Sequence, residues 1–343
     1  MRGVLNRRTF SAGVLAGATL VGQNLRTTNA REIVQSRAKT QAVPADPIAL
    51  GLMVEIVQNT TNLDQVVAQI GREPAIVMFH THWGNDSGIF NRSLLEFVLE
   101  RGVTPLVTWE PWRPLYAGGL AVSEQPDFAL RTISAGQHDA YIESWADGIA
   151  GLGEIVMIRF GHEMNGDWYP WGIGVNGNTA ADFVDAWRYL HEKFEAAGAF
   201  NVRWVWTPIA GGSTQFDQSF PGDDYVDYVG MSGFNWGTTQ QAWGVGIWQS
   251  FEEIFTPTFE ALQNLSDKPI IIAEMASAEQ GGDKAAWITD SFLLQLPLSF
   301  PEIRAVVWFN IVKETDWRID SSPESLRAFV TVANSAYLSG ELA

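Results

Sequence analysis

Short apolar runs rich in β-branched residues recur along the chain at 48–55, 75–82, 104–112, 155–163, 202–208, 226–235, 269–277 and 303–311. Each has the length and flanking turn residues of a buried strand. Most are separated by stretches whose apolar positions fall three and four apart, at 62–71, 93–102, 137–151, 180–198, 251–265 and 284–296. Several of those stretches stop at a glycine, the residue helix C-termini favour. Strands alternating with helices eight times over predict an α/β fold, a (β/α)8 TIM barrel rather than an open doubly wound sheet. The barrel is expected over residues 46–338. Ahead of it, 31–45 lacks periodicity and contains Pro44, as a linker would.

Residues 1–30 carry a different pattern. Arg7-Arg8-Thr9-Phe10 precedes an apolar run from Ala12 to Gly22, and a polar stretch then ends at Ala30. This order matches a twin-arginine export signal, and the run is too short to span a bilayer comfortably. Export to the periplasm or exterior of a bacterial cell is therefore expected, with no membrane insertion.

Polarity collects where barrel strands should end, the face on which such folds place their chemistry. His80 and His82 close the second run, Trp109-Glu110-Pro111-Trp112 the third, Asn235-Trp236 the sixth, Glu274 the seventh and Trp308 the eighth. The fourth run is the densest: after Ile155-Val156-Met157-Ile158 come Arg159, His162, Glu163, Asn165 and Asp167, then Trp168, Tyr169 and Trp171. A carboxyl can do proton chemistry, polar neighbours can tune it, and flat rings can stack on the C–H faces of a pyranose. A buried strand has no packing reason to finish in Glu274. Strand-end position also marks His80, Trp109, Glu110, Asn235 and Trp236 as candidates for contact with substrate.

Composition narrows the field. Fifteen tryptophans in 343 residues exceed what a core alone calls for. A net charge of −17, falling to about −21 without residues 1–30, disfavours nucleic acid and anionic membranes and suits a neutral polysaccharide. With no cysteine, thiolate metal sites and a Cys nucleophile are excluded. His80-Thr81-His82 has the form of an amidohydrolase metal motif, but the last of the five histidines, His191, precedes the fifth strand, so the remaining ligands are missing. No G-x-S-x-G elbow stands in the right context, and no G-x-G-x-x-G follows the first strand. We expect no cofactor, no metal and a monomer.

The segment Arg159-Phe160-Gly161-His162-Glu163-Met164-Asn165-Gly166 resembles the acid/base signature of glycoside hydrolase family 26. Ile272-Ala273-Glu274-Met275-Ala276-Ser277 resembles its nucleophile strand, and Trp109–Trp112 and Trp308–Asn310 are similar to its members as well. That family includes β-mannanases and enzymes acting on mixed-linkage β-glucans or xylans. The resemblance implies a retaining, endo-acting hydrolase with Glu163 as acid/base and Glu274 as nucleophile. It further implies that His162 bonds substrate or nucleophile, that Trp308 is the platform at the cleavage point, and that Trp168 and Trp171 line neighbouring subsites. Arg159, on the parity of Glu163, is the candidate donor to the nucleophile. The clan's strand-six Tyr is replaced by Ser232-Gly233-Phe234-Asn235-Trp236, leaving Asn235 as a substitute donor. The expected substrate is a neutral β-linked polysaccharide, β-1,4-mannan first. The alternative is a non-hydrolytic carbohydrate-binding or exopolysaccharide-assembly protein on the same barrel.

Overall fold

The computed structural model describes residues 46–84, 89–117, 120–211 and 216–342. The expected signal (1–30) and linker (31–45) lie outside the described residues.

All eight apolar runs form strands: β1 (Ala49–Met53), β2 (Ile76–His82), β3 (Thr104–Glu110), β4 (Val156–Phe160), β5 (Val202–Trp206), β6 (Tyr228–Asn235), β7 (Ile270–Ser277) and β8 (Ile303–Phe309). They pair in sequence order, all parallel, and β8 closes on β1 to complete the barrel. Both faces of each strand are covered, which is why the runs read as continuous hydrophobicity instead of alternation.

Helices α1 (Thr61–Ile70), α2 (Arg92–Leu99), α3 (Asp139–Ala150), α4 (Ala180–Ala196), α5 (Phe251–Leu265), α6 (Lys284–Asp290) and α7 (Pro323–Ala333) pack outside. Their apolar stripes face the strands; α3, for example, buries Ile142, Trp145, Ala146 and Ile149. Two begin with a full capping box, Thr179 with Asp182 on α4 and Ser250 with Glu253 on α5. Between β5 and β6 the described residues hold only the 3-10 turns Asp217–Ser219 and Asp223–Tyr225. Pro208, Pro221 and Gly222 interrupt helix propagation there. The helix expected over 284–296 is broken: α6 passes through a π-helical turn, Ser291–Gln295, into Leu296–Ser299. Pro297, with no N–H to give, stands at the start of that last piece.

One irregularity positions the site. On β6, Met231 and Ser232 pair with Ile272 and Glu274; on β8, Val306 and Trp308 pair with Ile272 and Met275. Relative to both neighbours β7 therefore carries one extra residue, a bulge at Ala273–Glu274. Bulges of this kind re-aim a side chain, and here the side chain is Glu274.

Candidate active site

The floor of the barrel mouth is built from inward positions of four strands. Arg159 of β4 is fully buried. Its Nε donates to Thr207 Oγ1 at 2.7 Å, and its terminal nitrogens reach Thr108 and Ser232 hydroxyls and both oxygens of Glu274, Nη1 to Oε1 at 3.1 Å and Nη2 to Oε2 at 3.3 Å. Hydroxyls from β3, the β5 exit and β6 thus hold the guanidinium in a fork against the carboxylate.

Beyond β4 the chain turns sharply. Gly161 has φ +52° and Glu163 has φ +57°. Glycine adopts the left-handed region freely, but a glutamate there is uncommon and marks a constrained position. The constraint is visible: Glu163 N–H donates to Thr207 O at 2.8 Å, and Trp171 Nε1 donates to His162 O at 2.6 Å. The turn delivers Glu163 over the mouth, where Trp168 Nε1 donates to its Oε2 at 3.0 Å. A Cβ on Gly166 would sit 2.4 Å from ring atoms of Trp168, so only glycine lets the indole lie this close.

A carboxylate oxygen of Glu163, one of Glu274 and a ring nitrogen of His162 lie within 4.8 Å of one another. The two carboxyls are in opposite states. Burial, together with the Glu274 charge, pushes Glu163 up to about 7. Burial would also raise Glu274, but the Arg159 guanidinium and His80 outweigh it and hold the carboxyl well below the usual carboxylate range. By distance this trio could ligate a cation. Its donors suit that role poorly, because Glu163 favours the proton and both Glu274 oxygens are already taken by Arg159.

A second layer lies behind Glu274. His80 is bonded through Nε2 to Glu274 Oε1 at 3.1 Å and through Nδ1 to Glu110 Oε1 at 3.0 Å. His82 Nε2 and Trp112 Nε1 approach Glu110 Oε2 at 2.8 and 3.1 Å. Burial opposes charge on His80, yet Glu110 and Glu274 raise it to about 9. Burial likewise opposes charge on Glu110, and His80 and His82 hold it well below the usual range. His162 is different: burial and the Arg159 charge push its pKa well down, so the ring is neutral, and its buried Nδ1 has no hydrogen-bond partner.

The structure redistributes the residues expected to meet substrate. Glu163, Glu274, His162, Arg159 and His80 converge as expected, with Arg159 and His80 bonded to Glu274. Trp168, 40% exposed, and the partly buried Trp236 stand at the mouth. Trp109 does not: it faces outward, donates to the Tyr141 hydroxyl and packs on Trp145 and Phe194. Trp308 also points away, donating to Trp317 O among Trp287, Phe292 and Phe329. Both stand one residue out of phase with the inward set, which contains Thr108, Glu110 and Phe309. Trp171 is fully buried and stacks under Tyr169 at 4.4 Å, supporting the loop instead of lining a subsite. Glu110 is sealed beneath its three donors. Asn235 bonds Ser277 and the N–H groups of Gly237 and Gln249, so it is no substitute donor to the nucleophile.

Thr108, Thr207 and Phe309 carry no expectation from the sequence, and Ser232, Tyr169 and Lys313 take part in the site without having been assigned a role. Phe309 could have been found by strand parity, but Thr207 lies just past β5 and carried no signal. Lys313 pairs with Glu314 at 3.1 Å, and its charge acts on Glu163 and Tyr169.

Over 264 residues the chain is 40% identical to Endoglucanase H of Acetivibrio thermocellus, an alignment covering 76% of this chain and 27% of that protein. It is 30% identical over 111 residues to a mannan endo-1,4-beta-mannosidase of Bacillus subtilis, covering 30% of this chain and 31% of the relative. The chain thus spans about a quarter to a third of these curated relatives. Its fold is similar to that of a GH26 β-mannanase from Bacteroides ovatus, with a TM-score of 0.63, 18% identity, and coverage of 90% of this chain and 92% of that one. Residues 123–291, which include both Glu163 and Glu274, match the sequence model for Glycosyl hydrolase family 26, and the chain belongs to that family.

Proposed function

We propose that the chain is a retaining, endo-acting β-glycanase working by double displacement, with Glu163 as acid/base and Glu274 as nucleophile. The observation that carries this reading is the pair itself: carboxylate oxygens within 4.8 Å, one carboxyl biased toward protonation and the other toward ionisation. Retaining glycosidases place their carboxyls about 5–5.5 Å apart, whereas inverting ones leave room for a water. Glu163 gives its proton to the departing glycosidic oxygen while Glu274 attacks the anomeric carbon. Glu163, then ionised, takes a proton from the water that displaces Glu274. Glu274 Oε1 accepts from two charged groups and Oε2 from one at the longer distance, which leaves Oε2 freer to attack.

A β-linked glucan is the first substrate to test. Its support is the name of the 40% identical relative, whose alignment takes in most of this chain, whereas the mannosidase alignment takes in less than a third. β-1,4-mannan, the first expectation from the sequence resemblance, is the second substrate to test. The non-hydrolytic alternative rested on the missing strand-six Tyr; Arg159 and His80 remove that ground by supplying donors to Glu274. Export through the twin-arginine route, carried by Arg7-Arg8 and the apolar run after it, remains part of the proposal.

The test is product release from barley β-glucan, glucomannan, galactomannan, xylan and an α-glucan, with the anomeric form of the first product followed by NMR. We expect cleavage of a β-glycan with retained configuration, abolished by Glu274→Ala. Initial release of the inverted anomer, or cleavage that survives Glu274→Ala, would sink the reading.

A further inference from the structure

Glu274 is held on one side by Arg159. On the other side stands a chain of three groups, the buried Glu274 and Glu110 with the partly exposed His80 between them, which the strand-six residues do not join. Phe234, near the end of β6, packs on Phe309, Trp236 and Trp317. The His80 ring lies between two carboxylates, Glu110 Oε1 at 3.0 Å and Glu274 Oε1 at 3.1 Å. Carboxylates only accept, and a neutral imidazole has one N–H; only the imidazolium can donate to both. The other ionisable groups around the ring are Arg159 on β4, whose charge faces Glu274, His82 on β2, which faces Glu110, and the neutral His162, whose ring lies edge-on at 5.8 Å.

We infer that His80 is a positioning residue that serves as an imidazolium clamp on the nucleophile, kept charged by Glu110, and that it supplies Glu274 with a second donor beside Arg159. This rests on the assignment of Glu274 as nucleophile. A positive charge on Glu274 Oε1 favours the ionised carboxylate over the ester. In the second half-reaction water oxygen bonds to the anomeric carbon, its proton passes to Glu163, and the ester C–O bond breaks with the electron pair returning to Glu274. The clamp stabilises that returning charge, so its loss slows deglycosylation most. Glu110 lies beneath His80, His82 and Trp112, with His162 Nε2 at 3.8 Å from its Oε1, and reaches Glu274 through the His80 imidazole.

The experiment uses the full chain with 2,4-dinitrophenyl β-cellobioside, whose leaving group departs without a proton from Glu163. With His80→Gln and Glu110→Gln we expect kcat to fall roughly a hundredfold, the scale of losing one charge-stabilising donor. A burst of dinitrophenol should appear as the glycosyl-enzyme accumulates, and the alkaline limb of kcat, which deprotonation of His80 produces in the parent, should disappear in His80→Gln. Imidazole 15N NMR reads the clamp without turnover: His80, assigned by its loss in His80→Gln, should carry protons on both nitrogens at pH 7.5 in the parent and on one in Glu110→Gln. A neutral His80 in the parent, or a His80→Gln enzyme with parent kcat and alkaline limb, would overturn the inference. Failure of the nucleophile assignment would show separately, as hydrolysis that survives Glu274→Ala.

Discussion

Glu163 and Trp168 make one functional unit. The indole donates to the carboxyl and presents an exposed face beside it, while Gly166 leaves the space the ring occupies. Trp168→Ala should therefore raise KM for polysaccharide and alter the acidity of Glu163. Gly166→Ala should give the same kinetic changes, because the added methyl displaces the ring. A Gly166→Ala enzyme with unchanged KM would break the link. Trp308 provides the contrast. Buried behind the strand, it should cost about 3–5 kcal/mol of stability as Trp308→Ala, measured by denaturant unfolding, while Trp308→Phe should lower stability by less and leave KM unchanged. The rate should follow Glu163: as a general acid it must hold its proton, so kcat/KM on polysaccharide should decline as pH rises above about 7. Both carboxylates were legible from the residues alone. The mistaken platform at Trp308 and the mistaken contact at Trp109 share one cause, since one step along a strand moves a side chain from the mouth to the helix layer.

Strands and helices were the most legible level. Eight apolar runs announced eight strands because parallel strands buried on both faces leave nothing polar to blur them. What the pattern did not show is the bulge on β7, since an extra residue inside Ile270–Ser277 leaves the apolar run unchanged. The π turn within 284–296 was hidden for a similar reason: side-chain periodicity survives a local change in hydrogen bonding, and only Pro297 hinted at a break. Helix starts can be tested individually. Ser250 caps α5 through its hydroxyl and Glu253 completes the box, so Ser250→Ala should destabilise by ~1 kcal/mol. The Ser250 hydroxyl bonds within its own helix start, to the Glu253 N–H and carboxylate, so activity at low temperature should be preserved.

Across the whole molecule, four ionisable groups of the site, three of them buried, link it to folding stability. Glu163 is raised from 4.5 to about 7 and His80 from 6.5 to about 9, so each binds protons more tightly when folded. Their contributions are full below the ordinary values and are lost as pH rises through the folded ones. Glu274 and Glu110 are shifted down, and their contributions are lost as pH falls below the ordinary 4.5. The melting temperature should thus peak at about pH 5, fall below about 4.5 as Glu274 and Glu110 take up protons, and fall above the peak, first as Glu163 loses its proton and then, beyond about 6.5, as His80 does. Glu163→Gln should raise it at pH 8, where the parent must bury an ionised carboxylate, and an unchanged or lower value there would refute the assignment.

The sequence by itself determined the fold class, the strand that carries Arg159, His162 and Glu163, the strand that ends in Glu274, and the acidic, cysteine-free character of the chain. Those follow from local pattern and residue chemistry, which are properties of neighbours along the chain. Only the tertiary structure decided that His80 and Glu110 stand behind the nucleophile, that Asn235 does not, and which tryptophans reach the mouth. Each of those depends on closing the barrel, because His80, Glu110, Arg159 and Glu274 come from four different strands and meet only when β1 and β8 are joined.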